Sequence, residues 1–298
     1  MSDTVIETKE LTKRYGKARG ITDVNLCVPR GDIFGFIGPN GAGKSTCIRT
    51  LLGLIKATSG EAYVLGKPCG PSAKELLADV GYMPSEAQFY HGMKVKDIIA
   101  FSARLRKKDC AAEAKRLCDR LGLDPKRKIQ DLSLGNRKKV SIVCAMQHEP
   151  ELYIMDEPTS GLDPLVQREF FALLTERKAA GATIMLSSHV LSEVQRYCDH
   201  AAIIREGQII AEGTVEELSA STARKVHVQG VTTVPTLEGV RKAEHNLDGI
   251  DFLYQGDMRN LVDWLASTTF SDVTIEEPDI EEVFMHFYTD DAKGGEVR

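Results

Sequence analysis

Gly38-Pro39-Asn40-Gly41-Ala42-Gly43-Lys44-Ser45 is the stretch on which the fold turns. It matches the spacing G-x-x-x-x-G-K-[ST], a loop that cradles phosphates. Glycine lets the backbone wrap an anion closely with its N–H groups. Lys44 brings a point charge for the β- and γ-phosphates of a nucleotide, and Ser45 brings a hydroxyl ligand for Mg²⁺. The flanks agree. Residues 33–37 are an apolar run of strand length, and Ile48, Leu51, Leu52 and Ile55 follow at helical intervals. A strand that feeds a glycine-rich loop and then a helix points the helix's positive end at an anion. The expected nucleotide-binding set is therefore Gly38, Pro39, Asn40, Gly41, Ala42, Gly43, Lys44, Ser45 and Thr46.

Further along the chain, residues 152–155 read as a buried strand that ends in Asp156 and Glu157. Ligands of open α/β sheets sit at such carboxyl ends. Asp156 is placed to hold Mg²⁺, and Glu157 to polarise an attacking water. Between the loop and this strand, residues 94–105 and 111–121 carry apolar residues at helical spacing, and a third helix is expected from Ser133, its N-cap, to Gln147. After the strand, helices are expected over 165–178 and 190–198, and strands over 183–186, 201–204 and 209–213. Strands alternating with helices argue for a parallel α/β sheet with a helical insertion. Residues 5–11 and 21–28 read as strands at its edge. Beyond residue 218 the texture changes: strand over 222–236, helix over 262–267, strand over 273–275 and helix over 280–287 predict a small α+β appendage.

Leu132-Ser133-Leu134-Gly135-Asn136 resembles a variant of the ATP-binding cassette signature, L-S-G-G-Q. The segments Thr159-Ser160-Gly161-Leu162-Asp163-Pro164 and Leu186-Ser187-Ser188-His189 follow in that family's order, and the resemblance covers residues 4–218. It implies a P-loop NTPase core with an antiparallel edge sheet and a helical subdomain at about residues 90–150, followed by an accessory domain over 219–298. It implies an ATPase that works as a head-to-tail homodimer or heterodimer. ATP on the loop of one subunit would be capped by Ser133 and Gly135 of the other. Tyr15 would stack on adenine, Asp163 would couple the two sites, and His189 would hold the water with Glu157. Ser85 stands where the family has a glutamine; its side chain is too short to span to Mg²⁺, so neighbouring Glu86 is a candidate substitute. Phe89-Tyr90-His91 lies where the family receives its membrane subunits, and local packing explains it equally well.

Glu277-Pro278-Asp279-Ile280-Glu281-Glu282-Val283-Phe284 resembles the closing segment of cassettes from the drug- and antibiotic-export branch, as does the L-S-x-G-N form of the signature. The implied role is the ATP-hydrolysing subunit of an exporter, acting with separate transmembrane permease subunits. It would sit in the cytoplasm on the inner face of the cell membrane. An importer ATPase or a soluble cassette ATPase is the alternative reading. The tail carries no phosphate- or metal-binding pattern and is expected to serve subunit contact rather than nucleotide binding.

Bulk properties fit. The 298 residues are 42% hydrophobic and 27% charged, with a net charge of -5, so no nucleic-acid partner is expected. No apolar run approaches the roughly 18 residues of a membrane-spanning helix, and Met-Ser-Asp-Thr does not begin a secretory signal. Seven scattered cysteines without a C-x-x-C pair read as reduced packing residues, with Cys47 beside the loop open to alkylation. The basic runs Arg137-Lys138-Lys139 and Lys126-Arg127-Lys128 read as solvated faces.

Overall fold

The computed structural model describes residues 4–16, 18–70, 74–86, 88–90, 92–219, 224–246 and 248–276. The chain forms two compact units, residues 1–215 and 216–298.

The first unit opens with the antiparallel pair β1 (Thr4–Tyr15) and β2 (Ala18–Pro29). Then come β3 (Ile33–Ile37), α1 (Lys44–Leu51), β4 (Ser59–Val64), β5 (Lys67–Pro68), α2 (Lys74–Asp79) and β6 (Val80–Met83). A helical block follows: α3 (Val95–Leu105), α4 (Ala111–Arg120) and α5 (Leu134–Met146). The chain returns through β7 (Leu152–Asp156), α6 (Pro164–Ala179), β8 (Thr183–Ser188), α7 (Leu191–Tyr197), β9 (His200–Arg205) and β10 (Gln208–Thr214), and α8 (Val215–Ser219) follows.

Two sheets result. One is antiparallel, in the order β2-β1-β4-β5; the other has six strands, in the order β10-β9-β3-β8-β7-β6. Within the six, β9, β3, β8, β7 and β6 run parallel, and β10 closes the edge antiparallel to β9. Every residue of β3, β7 and β8 is buried, as expected of strands covered on both faces. Their side chains alternate between two cores. Phe34, Phe36, Leu152 and Ile154 pack with α1 residues Ile48 and Leu51 and with the antiparallel sheet. Ile33, Tyr153 and Met155 pack with α5, α6 and the helical block. The period of two along each strand sends neighbouring residues to opposite faces.

Helix α4 is held to α6 by ion pairs as well as packing: Arg116 and Arg120 meet Glu176, and Arg120 also meets Glu169. Behind α5, Arg106 Nε donates to His148 Nε2 at 3.0 Å. A guanidinium has no lone pair to offer, so this imidazole nitrogen must accept, which requires neutral His148. Burial, and then the charges of Arg106 and Lys108, pull its pKa from 6.5 down to about 3. The unfolded chain therefore takes up a proton below about pH 6.5 that the folded chain refuses, and stability must fall as pH drops through that window. Denaturant unfolding should give a stability about 1.4 kcal/mol lower at about pH 5.5 than at about pH 7.5 from this group. His148→Gln, which keeps an acceptor for Arg106, should flatten that component; an unchanged slope would remove His148 as its source.

Cys47 departs from expectation. It is fully buried under the loop, and burial pushes its thiol up to about 12. A thiol without access or thiolate character is not an alkylation site.

The second unit pairs β11 (Arg224–Gln229), β12 (Val240–His245), β13 (Gly249–Tyr254) and β14 (Asp272–Glu276) antiparallel in the order β12-β13-β11-β14. Helix α9 (Met258–Ser267) buries Leu261 and Leu265 against Val226, Val228, Ile250, Phe252 and Tyr254. This is an α+β unit. The strand expected over 222–236 ends at Gln229: Gly230 turns the chain at φ 81, and Pro235 further on cannot donate to a ladder. The helix expected over 280–287 and the export-branch segment 277–284 lie outside the described residues.

Candidate nucleotide-binding site

Strands β3, β8 and β7 are neighbours and parallel, so their carboxyl ends deliver three loops to one place. From β3 comes the Gly38–Ser45 loop. Gly43 caps α1 at φ 111, a left-handed conformation that favours glycine, and no side chain occupies the cap. The first N–H groups of α1 are therefore free for a ligand. Lys44 is almost completely buried. Its Nζ donates to Gly38 O at 2.5 Å and Pro39 O at 3.3 Å, and lies 3.0 Å from Glu157 Oε1. A cavity of about 380 Å³ opens here, lined by Pro39, Asn40, Gly41, Gly43, Lys44, Ser45 and Thr46, with Gly20, Ser85 and Glu157.

From β7 comes the acid pair. Asp156 is wholly buried; its Oδ1 accepts from Ser187 Oγ at 2.7 Å, and its Oδ2 has no hydrogen-bond partner among the described residues. A buried carboxylate oxygen left unpaired is costly, and this one fits a cation that would satisfy it. No cluster of three or more His, Cys, Asp or Glu ligands occurs among the described residues. One carboxylate and the Ser45 hydroxyl suit Mg²⁺, which keeps most of its shell for water and phosphate.

Glu157 adopts φ 48. Left-handed backbone costs a non-glycine residue on the order of 1–3 kcal/mol and persists only where neighbours hold it. They do so at its N–H, its carbonyl and one carboxylate oxygen. Its N–H donates to Ser187 Oγ at 2.9 Å, its carbonyl accepts from Lys138 Nζ at 2.6 Å, and its Oε2 lies 2.7 Å from Nδ1 of His189, just past β8. Glu193 of α7 bonds both Thr159 Oγ1 and Ser188 Oγ, linking the segment after β7 to the end of β8.

Of the remaining predicted residues, only Ser85 lines this cavity among the described residues. Ser133 caps α5, accepting from Asn136 N at 3.3 Å. Gly135 abuts the segment after β7: a Cβ built on it would lie 2.8 Å from Gly161 O. Asp163 caps α6 through Leu165 N and Val166 N. Tyr15 is exposed at the end of β1, with Lys13 Nζ 5.1 Å from its ring centroid. Ser85 lines the cavity, whereas Glu86 is exposed and does not. Phe89 packs against the core and Tyr90 is exposed; His91 lies outside the described residues.

The ABC transporter family profile matches residues 21–160. The Bacillus licheniformis bacitracin transport ATP-binding protein BcrA is 36% identical over 230 residues, covering 76% of this chain and 75% of that protein. The chain belongs to the ABC transporter family of ATP-binding proteins. The cassette is also 37% identical over 226 residues to the probable multidrug ABC transporter ATP-binding protein YbhF of Escherichia coli strain K12; that covers 74% of this chain and 39% of YbhF, so the cassette spans well under two thirds of that relative. Among solved structures it is similar to an ATP-binding subunit of an ABC transporter (TM-score 0.67, 33% identity, 72% of this chain and 92% of that one). A second likeness is to the ADP conformation of the cassette MJ1267 (TM-score 0.61, 29% identity, 72% and 92%). The cassette is thus an ATPase of this family, and no described helix is long and apolar enough to cross a membrane.

Three residues of the site were not foreseen. Gly20 lines the cavity from β2. Ser187 bonds both acids of the pair. Lys138 corrects the reading of Arg137-Lys138-Lys139 as a solvated face: it is 3% exposed and reaches the carbonyls of Ser85 and Glu157. The signal was available, since Lys138 precedes Ser141 by three residues and Ala145 by seven, on a buried stripe of α5.

Proposed function

We propose that the cassette hydrolyses MgATP as the motor of a membrane exporter, with Glu157 as the group that orients and deprotonates water. The observation that carries this reading is the Glu157 carboxylate, held between Lys44 and His189 and following Asp156, whose buried Oδ2 is unpaired, in the chain. A nucleotide's phosphates would draw Lys44 away from Glu157 and from its own loop carbonyls. The carboxylate would then be free to take a water proton, with His189 Nδ1 fixing its second oxygen. The exposed N–H groups at the start of α1 would bear the negative charge of the phosphates. Mg²⁺, held by Ser45 and Asp156, would offset charge on the β- and γ-phosphate oxygens.

A second cassette, identical or not, would complete the site with Ser133 and Gly135. What supports pairing is the surface on which they lie: Leu134, beside Gly161, is 62% exposed, and Leu165, in the first turn of α6 after Asp163, is 74% exposed. Large exposed aliphatic side chains beside a polar functional loop suit a surface that is covered in the working complex. Asp163, the α6 cap, would couple the two sites, and Tyr15 would stack on adenine. The names of BcrA and YbhF, bacitracin transport and multidrug, favour export. Permease subunits would then hold the cassette at the inner face of the cell membrane.

Hydrolysis by the purified full-length chain should require Mg²⁺ and rise with roughly the square of protein concentration at the dilute end, because two copies build each site. A rate strictly linear in concentration throughout, from a protein that sediments as a monomer with ATP, would overturn the paired mechanism.

A further inference from the structure

Lys138 is buried in α5, five residues past Ser133. Its Nζ donates to the carbonyl of Ser85, after β6, at 2.8 Å and to that of Glu157, after β7, at 2.6 Å. Removing an ammonium from water costs several kcal/mol unless its donors are met. Burial lowers this lysine's pKa, and the charges of Asp156, Glu157 and Glu86 oppose that shift. An apolar side chain of the same length would pack here without that cost, so packing alone does not account for the charge.

Glu157 is fixed at its N–H by Ser187 of β8, at its carboxylate by Lys44 and His189, and at its carbonyl by Lys138. Of these, only Lys138 belongs to the helical block. The same helix starts at Ser133 and carries Gly135 against Gly161. From its cap to Lys138, α5 is little more than one turn of hydrogen-bonded helix, so displacement of its start is passed on without slack.

We propose that Lys138 is a positioning residue for hydrolysis, tying the signature-bearing helix to the backbone of Glu157 and of Ser85 so that the Glu157 carboxylate is aligned only when α5 is seated. Where the family places a glutamine side chain, this cassette has Ser85, and α5 grips that residue by its carbonyl instead. The role rests on Glu157 being the base, as proposed above.

The test uses the full-length protein with Lys138→Met, which keeps the length and removes the donors, and Lys138→Arg, which restores them. Lys138→Met should lower kcat at least about tenfold, while equilibrium ATP binding in EDTA changes less than about twofold; Lys138→Arg should recover a substantial part of kcat. Amide hydrogen exchange over residues 155–160 should quicken in Lys138→Met and not in Lys138→Arg, which reads the tether directly without turnover. A kcat within about twofold of the parent, or a loss of ATP affinity that matches the loss of rate, overturns the proposal. Should Lys138→Met fail to fold, Lys138→Ala, which also lacks a donor but leaves room for water, replaces it under the same criteria. Glu157→Gln run in parallel separates the two ideas. An inactive Glu157→Gln beside a normal Lys138→Met sinks the tether alone, whereas an active Glu157→Gln sinks the base and the tether together.

Discussion

Glu157→Gln should bind ATP and lose at least about 100-fold of steady-state hydrolysis, within the range that removal of a general base costs. The amide has the shape of the carboxylate and keeps an acceptor for His189 Nδ1, now 2.7 Å from Oε2. It cannot take a proton from water. Two effects on binding run the same way. The carboxylate lies 3.0 Å from Lys44 Nζ, so the parent must break an ion pair before the lysine can serve a phosphate. The carboxylate also lines the cavity that the phosphates would enter, and like charge in a poorly solvated cleft repels. Affinity should therefore hold or rise. With ATP the variant should sediment as a persistent dimer, because binding proceeds and the step that reopens it does not. Phosphate release within a few-fold of the parent would take the role from Glu157.

What could be read from the sequence depended on whether a residue's chemistry was local. The loop needed only its own spacing, since glycines, lysine and serine act through backbone and reach within eight residues. Asp156 and Glu157 needed one further fact, an apolar strand ahead of them. Ser187 needed register: Asp156 and Ser187 are directly paired across β7 and β8, which no pattern within either segment reveals. Lys138 was hidden by its neighbours, because three consecutive basic residues look solvated until the phase of α5 is known. In the second unit β13 was not expected either, and β12 escaped notice because half of its sequence, Val240–His245, is charged. It is the edge of its sheet, where such residues discourage pairing with other chains. Charge there reports edge position rather than loop.

Gly135→Val should abolish ATP-driven pairing and cut hydrolysis at least about 100-fold while leaving ATP binding by the single chain near normal. The cause is steric and local. The first carbon added at position 135 would lie 2.8 Å from Gly161 O, a backbone atom that cannot swing aside as a side-chain tip would. Gly161 is itself at φ 79, so the segment that must yield is already in a conformation open mainly to glycine. Branching at Cβ adds bulk just where α5 begins. The displaced pieces are the start of α5 and the loop leading to Asp163, which carry the residues proposed to meet the other subunit's nucleotide. Neither lines the cavity around Lys44, and that is why binding and turnover should part company. Gly135→Ala, which asks for a smaller shift, should lose about tenfold, and the graded series distinguishes crowding from general unfolding. The pairing measurement is cleanest in the Glu157→Gln background, where ATP is not consumed: a stable ATP-bound dimer of the Gly135→Val, Glu157→Gln double variant would show that this glycine contact is not part of the surface that closes.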